Sequence, residues 1–241
     1  MAGFEIHVTG KGSTYRPAER AILVLRASSS KIPSAKEATV VVTNAANTIR
    51  EIISPFCPSD NSPSSRDNAA IAHYSMSTLH TSNQTQVKRT KDESSGGSIQ
   101  YDTFYAAKAE FHIKFSDFAV LGQLATQFSA MKDVTVEKID WRLTEENERS
   151  IHSETRQKAA KDLLERAYDY AVAIANVSES ELKDRVKPTK LTENQYYSKS
   201  TRPHLHRGKE MYGQEGNSEE ITFQPEDVSL EVTVEGVFIV E

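Results

Sequence analysis

The chain has 241 residues, of which 37% are hydrophobic and 26% are charged, and its formal net charge at pH 7 is −5. This length suits one large domain or two small ones, and the acidic balance gives no general attraction for nucleic acid or an anionic membrane. The single cysteine, Cys57, excludes an internal disulfide and agrees with a reducing compartment. No apolar run approaches the roughly 18 residues of a membrane span, and no secretory signal pattern opens the chain. We therefore expect a cytoplasmic protein, with the nucleus as a second location.

The first predicted elements are two strands. Residues 4–8 alternate apolar and polar side chains, and residues 20–28 form a more buried apolar run. Residues 10–17 between them are typical of a turn-rich link, which predicts a hairpin.

A helix is predicted next, from the capping pattern of Ser34 and Glu37 to the prolines at 55 and 58. Its apolar face is formed by Ala38, Val41, Val42, Ala45, Ile49, Ile52 and Ile53.

The middle of the chain predicts a second hairpin, made of strands 71–80 and 101–115 with a wide polar link at 82–97. A helix at 117–131 and a strand at 134–143 follow. The buried stripe of that helix is predicted to contain Phe118, Leu121, Leu124, Ala125 and Phe128.

The stretch ETRQKAAKDLLERAYDYAVAIA, residues 154–175, predicts a long alanine-rich helix. Its apolar face is predicted to consist of Ile151, Thr155, Ala159, Leu163, Ala167, Tyr170 and Ile174, widened by the small side chains of Ala160, Ala171 and Ala175. Because a methyl-lined face offers no donors or acceptors, it favours close docking on a sheet or a neighbouring subunit over a metal or acid–base site.

The last third predicts a short strand at 185–191 and a strong strand at 229–240, with a bulge at Gly236. Hairpins therefore alternate with helices, which predicts an α+β fold with a mainly antiparallel sheet covered by about three helices. We expect a single domain over 1–241, with polar mobile loops at about 57–70, 82–98 and 192–220.

With this order of elements, the chain resembles the SIMPL-domain family, also called DUF541. The resemblance lies in the opening 8–12 (VTGKG), the strand 17–25, the strand from Ala106 to Phe111, the helix 159–175 and the closing strand after Pro225. Ala18 stands where the family has aspartate. The resemblance implies self-association into ring-like assemblies and, for different members, oxidative-stress defence or binding to a signalling kinase. It implies no catalytic residues.

Two sets of residues could hold a ligand. His204 and His206 lie on one side of an extended segment, and His73, His80 or His112 would have to complete a metal site. No cysteine or carboxylate has matching spacing, so two exposed histidines are the favoured interpretation. Basic residues also surround Tyr196 and Tyr197, a combination that binds single-stranded nucleic acid in some proteins. These are Lys187, Lys190, Lys199, Arg202, Arg207 and Lys209. The acidic chain and the missing RNA-binding motif favour a solvated or protein-docking segment instead.

Other residues give no reactive constellation. Cys57 has no partner cysteine for a redox pair, so an inert thiol is expected. The Gly10-Lys11-Gly12 segment lacks the third glycine of a phosphate cradle, and Trp141 on a strand predicts core. We assign no catalytic residue, no cofactor and no metal.

The function predicted from the sequence is that of a non-enzymatic interaction or stress-related protein that self-associates and presents polar loops to partners. A signalling adaptor in a kinase pathway is one alternative. The other alternative is a small-molecule-binding protein or hydrolase. A deep pocket lined by His73, His112 or Tyr105 would support it.

Overall fold

The computed structural model describes residues 4–59, 62, 65, 68–89, 99–194, 200–202 and 223–241. Its strands pair antiparallel in two sheets and its helices pack on them, so the predicted α+β class is confirmed. In chain order the elements are β1 (Phe4–Pro17), β2 (Arg20–Ser28), α1 (Ala35–Ile53) with a 3-10 turn at Ser54–Phe56, β3 (Ile71–Met76), β4 (His80–Arg89), β5 (Ile99–Phe115), α2 (Phe118–Ser129), β6 (Val134–Arg142), α3 (Glu145–Ala175), α4 (Leu182–Arg185), β7 (Val186–Asn194), β8 (Ser200–Arg202) and β9 (Asp227–Val240).

Two compact units divide the chain. The first unit contains the described residues within 1–19, 141–208 and 225–241, and the second contains those within 20–140 and 209–224. The expectation of a single domain over 1–241 stays a prediction.

The first unit is a sheet with strand order β1-β9-β7, in which β8 also pairs with β9. Strand β1 pairs with β9 without interruption, from Phe4 opposite Val240 to Pro17 opposite Asp227. The predicted hairpin of 4–8 with 20–28 is therefore wrong, and residues 10–17 are strand and not a link. The glycines that suggested a turn lie on the sheet face beneath helix α3, where their missing side chains have a packing role.

The end of the chain completes this sheet. The pairing of β9 with β1 runs straight through Gly236, so the predicted bulge there is wrong. The register shift lies in β7, between Pro188 and Lys190, and β7 extends to Asn194. Proline has no amide to donate to the ladder, which accounts for an irregularity at this place.

The second unit is a sheet with strand order β3-β5-β2-β6, in which β4 also pairs with β5. Strand β5 pairs with β2 on one side and with β3 and then β4 on the other. The predicted second hairpin is confirmed, but the predicted loop at 82–98 is wrong in its first part, because 80–89 is strand. Residues 82–87 are exposed and mostly polar, so they show no apolar alternation that would suggest a strand.

The core of the second unit lies between its sheet and the two helices α1 and α2. The buried face of α1 contains Ala38, Val42, Ala45, Ala46, Ile49 and Ile53, and that of α2 contains Leu121, Gly122, Leu124, Ala125 and Phe128. The predicted stripes are confirmed except at Val41, Ile52 and Phe118, which are half-buried.

Side chains cap each of the three longer helices at its start. The Ser34 hydroxyl accepts a hydrogen bond from the Glu37 amide at 3.3 Å, as predicted, and Asp117 accepts from two amides of α2. Helix α3 begins at Glu145, nine residues before the quoted stretch at 154, because Thr144 caps it and acidic residues occupy its first turn. It ends at Asn176, whose φ of 52° is left-handed.

Candidate interaction surfaces

The backbones of helix α3 and strand β1 lie in direct contact in the first unit. A Cβ atom added to Gly10 would lie 2.3 Å from the Ala159 carbonyl oxygen, and one added to Gly12 would lie 2.3 Å from the Thr155 carbonyl oxygen. Because glycine alone fits at both positions, the helix rests on the strand backbone itself. The predicted close docking of the alanine-rich helix on a sheet is confirmed.

This seam has little capacity for chemistry. The buried side chains of α3 recur every four residues and are Ile151, Thr155, Ala159, Leu163, Ala167 and Ala171. The Thr155 hydroxyl donates to the Ile151 carbonyl oxygen at 2.6 Å, so its proton is engaged within the helix. The seam therefore acts as a scaffold.

The last two turns of α3 differ from the prediction. Tyr170 and Ile174 were expected on the buried face, but they are 51% and 58% exposed. A strict four-residue spacing, which places Ala171 in the seam, turns positions 170 and 174 outward.

Polar side chains connect the start of α3 to the end of β1. The Glu19 carboxylate accepts hydrogen bonds from the Thr144 amide at 2.8 Å and the Thr144 hydroxyl at 2.7 Å, and from the Asn147 amide group. Arg16 donates to Asn147 and forms an ion pair with Glu154 at 3.1 Å. Hydrogen bonds from Lys158 and then Arg16 hold the pKa of Glu154 below its ordinary value. Since these groups are satisfied by one another, the cluster anchors the helix.

A small cavity lies near this cluster, lined by Arg142, Leu143, Glu148, Ile151, His152 and Val228–Leu230. Its volume is about 10 Å³, which is room for about one water molecule. His152 was not singled out in the sequence, because nothing in its spacing marks it. The cavity is too small for an organic ligand.

An open groove crosses the sheet of the first unit. It has a volume of about 270 Å³ and is lined by His7, Val8, Thr9, Lys190, Thr192 and Glu235–Val237. The side chains at His7, Val237 and Lys190 follow one another across three strands by register. Sequence reasoning missed this groove. Alternation in the sequence shows which face of a strand is polar, but it does not show which other strands lie beside it.

Of the residues proposed for a small-molecule pocket, His73 and His112 are diagonal neighbours on one exposed sheet face, and Tyr105 lies apart from them. His73 pairs with Lys114 and His112 with Ser75, whereas Tyr105 pairs with Asn83 further along β5. His112 and Tyr105 are also an odd number of residues apart on one strand, so their side chains point to opposite faces. No deep pocket joins these three residues within the described part of the chain.

The predicted metal and nucleic-acid residues are largely untested. His204 and His206 lie outside the described residues, and so do Tyr196, Tyr197, Lys199, Arg207 and Lys209. His80 lies on β4 opposite Lys108. Among the described residues, no group of three histidine, cysteine or acidic side chains is arranged to hold a metal ion.

Cys57 lies just after the 3-10 turn and is half-buried. Its thiol donates to the Ile53 carbonyl oxygen at 3.3 Å, and burial raises its pKa above the ordinary value. A raised pKa lowers the thiolate fraction at neutral pH, which favours the inert interpretation over a redox sensor.

Strands β4 and β5 pair over residues 80–89 and 99–108 in the second unit and form a ribbon, of which residues 80–87 on β4 are exposed. Val87 lies opposite Tyr101, and the two side chains are 56% and 66% exposed. By alternation they share a sheet face with the buried Ala107 and Ala109, and the polar residues Thr103 and Thr85 separate them from that core. An exposed aromatic side chain paired with an exposed aliphatic one is a candidate protein contact site.

Comparison with protein families identifies the family of this chain. Residues 6–238 match the model of the SIMPL family, whose description is a protein of unknown function (DUF541). No curated protein matches the chain. Among the described helices, none is long and apolar enough to cross a membrane.

Proposed function

The chain belongs to the SIMPL family, and from that premise we propose that it is a non-enzymatic, cytoplasmic interaction protein that self-associates. The observation that carries the proposal is the exposed apolar surface of the ribbon, where Val87 and Tyr101 form a cross-strand pair in solvent. Aromatic residues are enriched at protein interfaces because they bury large areas at a small cost in conformational entropy.

The same face carries further apolar side chains towards the core. Tyr74 lies opposite Ile113 and Met76 lies opposite Phe111, and both are more than one-third exposed. Together with Val87 and Tyr101 they place exposed apolar side chains towards both ends of this face, with the polar Thr81, Asn83 and Thr85 between them. Four exposed apolar side chains on one sheet face favour a protein partner.

The helix α3 seam supports a scaffold role. It covers its side of the first unit's sheet with methyl groups and backbone contact, which is a poor environment for a reaction that needs positioned donors and acceptors.

Light scattering on the native full chain tests self-association. We expect the mass to exceed that of one copy and to rise with concentration. The double variant Val87→Ser with Tyr101→Ser should lower the association constant, whereas Tyr170→Ser, which also removes an exposed apolar side chain, should not. A single-copy mass at every concentration would overturn the proposal.

A second candidate is a small-molecule-binding protein or hydrolase, favoured by the groove of His7, Lys190 and Glu235. Its volume of about 270 Å³ lies just under the usual range of ligand sites, roughly 300–1,000 Å³. A thermal-shift screen of small anionic and cationic metabolites tests it. A shift that Lys190→Ala abolishes and Lys138→Ala leaves unchanged would favour this candidate.

A stress role and a kinase-adaptor role rest on family resemblance, and no described contact distinguishes them. Comparing cells with and without the chain under peroxide, and testing for kinase binding, would separate these two roles.

A further inference from the structure

Strand β4 is an edge strand without the usual protection against pairing. Among the described residues it pairs with β5 alone, in unbroken register from His80 opposite Lys108 to Arg89 opposite Ile99. From Thr81 to Val87 it contains no charged residue, no proline and no glycine, and every residue is exposed. Natural proteins block such edges with charge, proline or bulges, because an open edge recruits another strand.

Other edges show that protection. Strand β7 contains Pro188 and a register shift, and strand β6 carries Glu137, Lys138 and Asp140 within nine residues. On β1, the Lys11 amide is engaged by the Asp162 carboxylate. Strand β4 carries charged residues only at its end, Lys88 and Arg89, so it is the run Thr81–Val87 that lacks such devices and differs from these three strands.

The hydrogen bonds around β5 define which groups of β4 point to the open edge. The amide and carbonyl of Tyr105 both bond to Ile32, on the side of β5 opposite β4. The Ala107 groups likewise bond to Ser29. In an antiparallel pair, residues opposite such positions direct both backbone groups outward. Asn83 faces Tyr105, so the outward set is Thr81, Asn83, Thr85 and Val87.

We propose that β4 pairs antiparallel with β4 of a second copy of this chain, about a two-fold axis near Gln84. This inference rests on the proposed self-association and names the surface that carries it. The pairing would convert two exposed ribbons into one four-stranded sheet, and a two-stranded ribbon alone is only marginally stable in water.

Charge favours a second copy as the occupant. The whole chain carries −5, but the run Thr81–Val87 is uncharged, so two copies that pair along it bring no like charges together there. Antiparallel pairing centred on Gln84 places the neutral run of Thr81–Val87 against its own copy. Asn83 then lies beside Thr85 of the second copy, and no like charges lie opposite within the run.

Proline at an outward position tests the pairing. Thr85→Pro removes an amide that β5 does not use, so the β4–β5 ladder stays intact while a second strand is excluded. Asn83→Pro does the same two residues earlier, in case one variant fails to fold. Thr85→Val is the matched control, since it keeps the amide and the branched side chain. We expect light scattering to give an even number of copies for the wild type and Thr85→Val, and half that number for the proline variants.

Hydrogen exchange supplies a readout specific to this edge. In the associated wild type, the amides of Asn83 and Thr85 should be protected together with that of Gln84. In Thr85→Pro, the Asn83 amide should exchange freely while Gln84 stays protected. An unchanged copy number in both proline variants, with Asn83 exchanging freely in the wild type, would overturn the β4 pairing but leave self-association standing. A wild type with the mass of one copy would overturn both.

Discussion

The amide of Lys11 on strand β1 donates a 2.8 Å hydrogen bond to the carboxylate of Asp162 on helix α3. Since β1 is an edge of its sheet, this contact both engages an outward-facing amide and ties the helix to the strand. Arg166 donates to the same carboxylate at 3.0 Å from the next turn of the helix. Asp162 thus joins the edge strand to the ion pairs on the exposed face of α3.

The first prediction concerns acid stability. The Lys11 amide, and then Arg166, hold the pKa of Asp162 below its ordinary value. A depressed folded-state pKa contributes stability that is present above the unfolded pKa of roughly 3.9 and is lost as pH falls through the folded value. We expect Asp162→Asn to lower the free energy of unfolding at pH 7 by about 0.5 kcal/mol, because the carboxylate is only half-buried and solvent screens its interactions.

The measurement is urea unfolding at pH 7 and in the acid range below about pH 4. The difference between wild type and Asp162→Asn should shrink as the wild-type carboxylate becomes protonated. Asp169→Asn, which removes one carboxylate from the same helix, is the control for the general effect of the charge change. A difference that stays constant with pH would contradict the assigned role of the Lys11 contact.

The second prediction concerns the glycines under α3. Gly12→Ala should destabilise the fold by about 1–3 kcal/mol or more, because its Cβ would meet the backbone of Thr155 and the helix would have to move. Gly236→Ala should cost less, since its Cβ would meet Cδ2 of Leu163, the movable end of a side chain. Thermal and urea unfolding of the two variants would test this order. An equal or reversed order would show that the helix is free to shift.

The sequence predicted the elements whose periodicity was complete. Helices α1 and α2 bury the stripes that their spacing predicts, and the alanine flank of α3 lies on a sheet. In each case, the spacing of apolar residues within a single element was enough to predict its buried face. Pairing partners were harder to predict, because the 14-residue β1 pairs with the far end of the chain and no local pattern encodes that choice.

The errors arose where tertiary contacts changed the meaning of a residue. Gly10 and Gly12 suggested a turn, but they create space for a helix that begins more than 130 residues later. Strand β4 was missed because residues 81–86 are exposed and polar, so the sequence there shows no alternation of apolar and polar residues. The direction of its open edge follows from the backbone hydrogen bonds between Tyr105 and Ile32, and no sequence pattern predicts those bonds.

The third prediction concerns Ala167, which is fully buried in the seam. Ala167→Leu should lower the free energy of unfolding by about 1–3 kcal/mol through overpacking. Ala160→Leu is the matched control, because Ala160 lies on the exposed face of the same helix and its substitution should change stability by less than about 0.5 kcal/mol. Urea unfolding gives both values. Equal effects of the two substitutions would contradict close docking at Ala167.

The fourth prediction concerns the reactivity of Cys57. Burial raises the pKa of its thiol, so at pH 7 the native chain should react with iodoacetamide several-fold more slowly than the urea-unfolded chain. The native rate should rise with pH into the alkaline range, because the thiolate is the reacting form. A raised folded-state pKa also means that this group's contribution to stability is present below the unfolded pKa of roughly 8.5 and is lost as pH rises through the folded value. Mass spectrometry of the single labelled site measures both rates. Equal native and unfolded rates at pH 7 would show instead that Cys57 is an accessible, ordinary thiol.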